Sequence, residues 1–169
     1  MRVGISIPNF GPLAGPEILF EIAERAERYQ FSDLWVGDHI VFPAQIRSRY
    51  PYPGGFSSSP SEDILEPLVV MSYLGGITKH VHIGVSVLII PYRNPVVMTK
   101  MITTLDVLTG GRVILGAGVG WMAEEFESVG ADYKDRGAVT DEYIKVYQNL
   151  CTDGEASFSG RYYSYKDLQ

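Results

Sequence analysis

The stretch HIGVSVLIIPYRNPVVMTKMITTLDVLTGGRVILGAGVGWMAEEF, residues 82–126, sets the architecture of this chain. It contains two apolar runs rich in β-branched residues, 82–90 and 112–118, and each run predicts a strand. The second run is apolar beyond its first residue, which is typical of a strand buried on both faces. A helix is predicted between the two runs, and a strand–helix–strand unit of this kind is nearly always parallel and right-handed.

The helix of this unit has recognisable ends. Asn94 is suited to accept hydrogen bonds from the free N–H groups of the first turn, and Pro95 stands at the first helical position, where no N–H is needed. Gly110 and Gly111 predict the helix end, because glycine takes the left-handed cap conformation at low cost. Apolar residues at helical spacing predict its buried face: Val97, Met101, Leu105 and Leu108.

The rest of the chain repeats the alternation of strand and helix. Strands are predicted at 2–8 and 33–37, and helices begin at Pro16, near Glu66 and near Val139. Regular βα alternation predicts an α/β fold with a parallel sheet and helices outside it. A complete (β/α)₈ TIM barrel takes about 250 residues, so the four βα units of this 169-residue chain predict half of such a barrel, as a single domain.

Three segments interrupt this alternation. Residues 42–62 are rich in proline, serine and glycine and lack periodicity, so they predict a long loop insertion, either a functional lid or a mobile surface segment. Residues 121–135 are predicted to be irregular. The tail, residues 156–169, alternates in polarity and carries a turn at Gly160, which predicts a hairpin.

Composition argues against several classes of function. The net charge is −6 and no basic run occurs, so a nucleic-acid partner is not expected. No apolar run approaches the roughly 20 residues of a membrane helix. Cys151 is the sole cysteine, so no internal disulfide is expected and the reducing cytoplasm is the predicted location. His80 and His82 have no carboxylate or cysteine beside them, so no metal site is predicted.

Several motifs resemble the bacterial luciferase-like monooxygenase family, which includes oxidoreductases that depend on the deazaflavin coenzyme F-420. The motifs are WVGDH at 35–39, GVSVL at 84–88, PYRNPV at 91–96, TLDVLTGGRVILGAGVGW at 104–121, EEF at 124–126 and GRYYSY at 160–165. The resemblance covers essentially the whole chain, and the motif at 104–121 is the specific one. It implies a TIM barrel of which the first four strands are present here.

The resemblance also implies a cofactor, coenzyme F-420 or FMN, lying across the carboxyl ends of the strands. His39 and Asp38 are then the catalytic residues at the ring, with His39 as the proton donor or acceptor. The peptide bond between Ser86 and Val87 is expected to be cis and to form a bulge that supports the ring. Further residues are expected to line the ring and its ribityl chain: Val119, Gly120, Trp121, Met122 and Glu124.

The residues themselves leave plainer roles open. From its position alone, His39 is also explained as a strand-end side chain bonded to backbone, and Asp38 as the cap of the following turn. For Trp121, the alternative role is packing of the loop. For Glu124 and Glu125, the alternative is that of acidic residues in the first turn of a helix, where they interact favourably with the helix dipole. Arg93 precedes a capped helix N-terminus, where it is placed to meet an anion, but a solvated side chain is the preferred expectation.

A half barrel leaves two strand edges and an inner face without partners. Such edges favour association, so we expect a homo-oligomer or a complementing C-terminal half. The predicted function is that of a luciferase-like oxidoreductase or monooxygenase, which uses coenzyme F-420 or FMN on a small organic substrate. The alternative is a non-catalytic or truncated subunit of the same fold, flavin-binding or purely structural, that needs a partner half.

Overall fold

The computed structural model describes residues 1–56, 63–152 and 154–169. The last part of the predicted loop, residues 57–62, therefore lies outside the described residues. The strands are β1 (Gly4–Ser6), β2 (Asp33–Val36), β3 (His82–Ile89), β4 (Val113–Gly118), β5 (Ala156–Ser159) and β6 (Ser164–Leu168). The helices are α1 (Pro16–Arg28), α2 (Pro67–Ile77), α3 (Pro95–Thr109), α4 (Ala123–Ser128) and α5 (Arg136–Leu150), with a short 3₁₀ turn at Ile90–Tyr92.

The first four strands form one parallel sheet in chain order, β1-β2-β3-β4, which confirms the predicted α/β architecture. Trp35 on β2 pairs with Ser6 on β1 and with Gly84 on β3, so the central strands are in continuous register. All four strands run in the same direction, so their carboxyl ends meet along one edge of the sheet. In βα folds, that edge carries the functional groups.

The hydrophobic core lies between the outer face of the sheet and the helices. Leu34 and Ile83 are fully buried there. The inner face is different, because small residues dominate it and the Trp35 indole lies across two glycines. A Cβ atom on Gly4 would lie 2.6 Å from that ring, and one on Gly84 would lie 2.4 Å from it. Trp35 therefore supplies the bulk of the inner face at this level of the sheet.

The predicted buried face of α3 is wrong except at Leu105. Leu105 is 3% exposed, whereas Val97, Met101 and Leu108 are 56, 39 and 76% exposed. Apolar residues lie on most sides of this helix, so the sequence is compatible with more than one buried face. Packing against α2 and α5 buries a different face from the predicted one. The residues that α3 buries are Pro95, Met98, Thr99, Ile102, Leu105 and Thr109. The helix ends agree with prediction, since Asn94 accepts from the N–H groups of the first turn and Gly110 has a φ of +68°.

Two further expectations need correction. Strand β4 is only partly buried instead of buried on both faces, because β3 is its one paired neighbour among the described residues. The stretch 121–135 is not wholly irregular, since it contains α4. The tail agrees with prediction: β5 and β6 pair antiparallel as a hairpin. Every helix within the described residues is too short or too polar to span a bilayer.

Candidate active site

A hollow of about 390 Å³ opens at the carboxyl ends of the parallel strands. It brings together six of the nine residues that the sequence and the family resemblance single out. Three others lie elsewhere: Val119 is 46% exposed and outside the lining, Met122 is fully buried, and the Glu124 carboxylate faces the loop after β2. The lining residues are Phe10, Gly37, Asp38, His39, Tyr50, Tyr52, Phe56, Ser86, Val87, Ile89, Tyr92, Gly120 and Trp121.

One wall of the hollow is a bulge in β3. The peptide bond between Ser86 and Val87 is cis, as the resemblance implies, and the register between β3 and β4 shifts at this point. Val87 is 40% exposed and lines the hollow. Gly118 on β4 lies under this side chain, where a Cβ atom would be 2.2 Å from a Val87 methyl carbon. The bulge therefore presents an aliphatic surface to the hollow and depends on a glycine beside it.

His39 lies at the end of β2 and is held by Glu125 of α4. Its Nδ1 atom is 2.9 Å from Glu125 Oε2, and the Tyr92 hydroxyl donates to the same oxygen at 2.9 Å. The other oxygen, Oε1, accepts from the backbone N–H groups of Ile40 and Val41 at 2.5 and 3.3 Å. Glu125 is completely buried, so it is an internal anchor for His39 instead of a solvent-exposed first-turn acid.

Asp38 is part of a buried ion pair instead of a turn cap. Arg93 donates to both of its carboxylate oxygens, at 2.7 and 2.8 Å, and Ile89 N–H donates to one of them at 2.7 Å. Arg93 also donates to Glu66, the residue that caps α2, at 2.7 Å. The expectation that Arg93 is solvated is therefore wrong, since its side chain is only 12% exposed.

The electrostatics of this pair follow from its burial. Burial raises the pKa of Asp38, and the hydrogen bonds and positive charge of Arg93 oppose that rise. Burial works to lower the pKa of Arg93, but the bonds and charges of Asp38 and Glu66 raise it overall. We assign both groups as charged at neutral pH, because the carboxylate oxygens of Asp38 face three N–H donors.

The loop after β2 is held over the hollow by Glu124. The carboxylate of Glu124 accepts from the N–H groups of Arg47 and Ser48 at 2.7 and 3.1 Å, and from the Ser48 hydroxyl at 2.7 Å. The Ser48 hydroxyl in turn accepts from Ala123 N–H at 2.9 Å. Burial acts to raise the pKa of Glu124, but these hydrogen bonds outweigh it and lower that pKa to about 2. Glu124 is thus a loop anchor.

We expect this anchor to be lost in acid. The folded-state pKa of Glu124 is about 2 and its ordinary value is 4.5, so the stabilising contribution is complete above pH 4.5 and declines as the pH falls towards 2. The amide proton shifts of Arg47 and Ser48 should therefore titrate with a midpoint near 2. The E124Q variant, which has no charge at this position, should show no such step. A midpoint near 4.5 would contradict the anchoring role.

Aromatic rings from this loop surround His39. The Phe42 and Phe56 rings lie 5.0 and 5.1 Å from the imidazole, measured between centroids. Trp121 packs against Phe56 at 5.2 Å and against Tyr50 at 5.0 Å. Trp121 therefore packs the loop, which is the alternative role given from the sequence, and it also lines the hollow. Its contact with a cofactor ring stays a prediction. Residues 42–56 thus behave as a folded cover, with aromatic rings facing His39.

Sequence reasoning missed the partners of the predicted catalytic residues. Tyr92 and Arg93 lie in the motif PYRNPV, and Glu125 lies in EEF, but the motifs do not indicate which side chain each residue contacts. One signal was available, namely that Arg93 and Glu125 each stand in an apolar stretch near a strand end. A charged side chain is costly to bury alone, so each of them requires a partner. Among the described residues, no cluster of three or more His, Cys, Asp or Glu side chains is arranged to hold a metal ion.

Comparison with known proteins agrees with this architecture. The F420-dependent glucose-6-phosphate dehydrogenase of Amycolatopsis mediterranei is 34% identical over 159 residues, which are 92% of this chain and 44% of that protein. An uncharacterised protein of Mycobacterium tuberculosis (strain H37Rv) is 31% identical over 144 residues, 84% of this chain and 50% of that protein. This chain thus spans about half the length of the curated relatives it matches.

Solved structures show the same fold. An F420-dependent secondary alcohol dehydrogenase in complex with an F420-acetone adduct has a TM-score of 0.77 at 23% identity, over 99% of this chain and 47% of that one. The oxygenating constituent of 3,6-diketocamphane monooxygenase from Pseudomonas putida, in complex with FMN, has a TM-score of 0.76 at 15% identity, over 100% of this chain and 44% of that one. The profile of the family described as luciferase-like monooxygenase matches residues 1–169. The chain belongs to the luciferase-like monooxygenase family.

Proposed function

We propose that this chain forms the ring-binding part of an oxidoreductase or monooxygenase that uses a flavin-type cofactor, coenzyme F-420 or FMN, on a small organic substrate. The observation that supports it most directly is the hollow of about 390 Å³ between the cis Ser86–Val87 bulge and His39. Ligand pockets in proteins have volumes of about 300–1,000 Å³. The solved structures of an F420-dependent dehydrogenase and of an FMN-bound monooxygenase share this fold, and a relative described as F420-dependent is 34% identical.

The chemistry of the lining fits a flat, mostly apolar ring system. Val87 offers an aliphatic surface, Trp121 an aromatic one, and the backbone at Gly120 is open because no side chain stands there. In our proposal, these residues and Ser86 hold the ring, with Val119 at the rim. Met122 supports this wall from within the core, and Glu124 holds the cover. When bound, the cofactor supplies the hydride transfer or oxygen activation that this chain lacks.

The residues of the chain itself supply proton transfer and shape. His39 is the titratable side chain in the hollow that suits proton transfer near neutral pH. Asp38 is fixed by Arg93, so we propose that it shapes the end of β2 and keeps His39 in place. The rings of Phe42, Tyr50 and Phe56 suit a substrate with an apolar or aromatic body.

A second candidate function comes from a different observation. The chain spans about half of each relative described above, and Ser6 and Ser86 on the inner face of its sheet are exposed, so it suits a non-catalytic flavin-binding subunit as well. In both cases we propose that a C-terminal half or a second copy of the chain completes the site. The enzyme is the first choice, because His39 and its anchoring carboxylate lie together within this half.

Cofactor binding tests the proposal. The purified chain is titrated with coenzyme F-420 and, separately, with FMN, and the fluorescence of each cofactor is followed. We expect one of them to bind, and the V87W variant to weaken that binding at least about tenfold, because an indole fills the hollow where Val87 now leaves space.

The matched control is V107W, which places the same indole on the outside of α3, where Val107 is 79% exposed. It should leave the affinity unchanged. Binding that V87W and V107W leave equally intact would place the ring elsewhere. Binding of neither cofactor would overturn the proposal and leave a structural subunit.

A further inference from the structure

We infer that Glu125 is a positioning residue that holds neutral His39 in the Nδ1–H tautomer, so that Nε2 is the ring atom available to the hollow. The use of His39 in proton transfer rests on the proposed function. The tautomer does not, because it is set by contacts within the free protein and can be measured there. Nothing in the sequence distinguishes the two nitrogens of His39.

The inference starts from the donors around one carboxylate. Oε1 of Glu125 accepts from Ile40 N–H at 2.5 Å and from Val41 N–H at 3.3 Å. Oε2 lies 2.9 Å from the Tyr92 hydroxyl and 2.9 Å from His39 Nδ1. An ionised carboxylate has acceptors only, so each of these four neighbours has to donate a hydrogen. His39 meets that requirement only if Nδ1 carries the proton.

Tyr92 is a fixed donor in this arrangement. Its burial, followed by the charge and hydrogen bond of Glu125, raises the pKa of Tyr92, so the hydroxyl keeps its proton. Edge-to-face packing of its ring against Phe126, with centroids 4.8 Å apart, holds that hydroxyl in place. Tyr92 therefore satisfies one lone pair of Oε2 and leaves the other for His39.

The remaining ring nitrogen is the one that can act. Within the described part of the chain, Nδ1 is the nitrogen of His39 that has a hydrogen-bond partner, and Nε2 has none. The side chain lines the hollow, and the Phe42 and Phe56 rings flank it. A neutral imidazole with hydrogen on Nδ1 carries its free lone pair on Nε2. That atom can take a proton from a substrate hydroxyl, and the nearby carboxylate stabilises the imidazolium that results.

Long-range ¹H–¹⁵N correlation spectra of the ¹⁵N-labelled chain test the inference, at a pH well above the ordinary histidine value of about 6.5. The chain has three histidines, so the H39Q variant identifies the signals of His39 by their loss. We expect His39 to show a protonated Nδ1 and an unprotonated Nε2. In the E125Q variant, the ratio of the Nδ1–H to the Nε2–H tautomer should fall at least about tenfold, because the charged acceptor is lost.

Two controls separate positioning from a general disturbance of the fold. The E124Q variant removes the neighbouring carboxylate, which bonds Arg47 and Ser48 but not His39, and should leave the tautomer ratio unchanged. The Y92F variant removes one donor to Glu125 and leaves the carboxylate, so His39 should retain hydrogen on Nδ1. An E125Q ratio equal to that of the wild type would overturn the inference.

The wild-type spectrum tests the inference even if E125Q does not fold, since Nε2–H in the wild-type protein would overturn it directly. The measurement needs no cofactor. A chain that shows the expected tautomer but binds neither coenzyme F-420 nor FMN would therefore refute the proposed function and leave this inference intact. Cofactor binding by a protein whose His39 carries its hydrogen on Nε2 would support the proposed function and refute this inference.

Discussion

Replacement of Arg93 by methionine should lower the free energy of unfolding by about 3–5 kcal/mol, the usual cost of removing one partner of a buried ion pair. Methionine retains much of the aliphatic part of the arginine side chain, so the substitution removes mainly the positive charge and its hydrogen bonds. Without Arg93, the fully buried side chain of Asp38 retains, among the hydrogen bonds of the described residues, only the one from Ile89 N–H. Urea denaturation followed by circular dichroism measures the change, as a lower midpoint at an unchanged slope.

The control is the same substitution at an exposed ion pair. Arg25 bonds Glu21 one turn away on α1, and the two side chains are 66 and 51% exposed. The R25M variant should lose no more than about 0.5 kcal/mol, because solvent already screens that pair. A loss below about 1 kcal/mol in R93M would mean that Asp38 tolerates the absence of a cation, and that the ion pair does not hold the end of β2.

The order and type of the main elements could be predicted from local sequence, for reasons visible in single residues. Asn94 and Gly110 mark the ends of α3 because a side-chain cap and a left-handed φ are local requirements. The buried face of α3 could not be predicted in the same way. Its apolar residues point in several directions, and contact with neighbouring helices determines whether Met98 or Val97 is buried.

In the candidate site, too, some features could be predicted from the sequence and others could not. Asp38, His39 and Gly120 were expected at one edge of the sheet, because parallel strands bring their carboxyl ends together, and the structure places all three around one hollow. Their partners could not be predicted. Glu125 is 86 residues from His39, and Arg93 is 55 residues from Asp38. No periodicity connects residues at such separations.

The cover over the hollow is the part that local patterns describe least well. Residues 42–56 lack periodicity and regular structure, yet Glu124 fixes the backbone at Arg47 and Ser48. Residues 42–56 form a loop, as predicted, and its backbone is held by a carboxylate 77 residues from Arg47. Such a contact exists only once the sheet has placed α4 beside β2. The role of this loop as a functional lid stays a prediction.

Replacement of Gly120 by alanine should cost about 2–4 kcal/mol of unfolding free energy, the second largest effect that we expect. Gly120 has a φ of +75°, which costs a residue with a side chain about 1 kcal/mol or more. A Cβ atom there would also lie 2.6 Å from the Phe126 ring and 2.9 Å from an Ile89 methyl carbon. Phe126 is completely buried, so its ring has no room to withdraw, and overpacking of this kind costs about 1–3 kcal/mol.

Gly130 separates the backbone strain from the steric clash. Its φ of +73° is nearly the same, but apart from its chain neighbours no atom of the described residues lies within 4 Å of a Cβ built there. The G130A variant should therefore lose only the conformational share, about 1 kcal/mol. Both substitutions restrict the unfolded chain equally, so that contribution cancels in the comparison. Equal losses in G120A and G130A, measured by urea denaturation, would show that Phe126 yields to a methyl group. In that case, the close approach of the Gly120 backbone to the Phe126 ring would not be the reason that this side of the hollow is open.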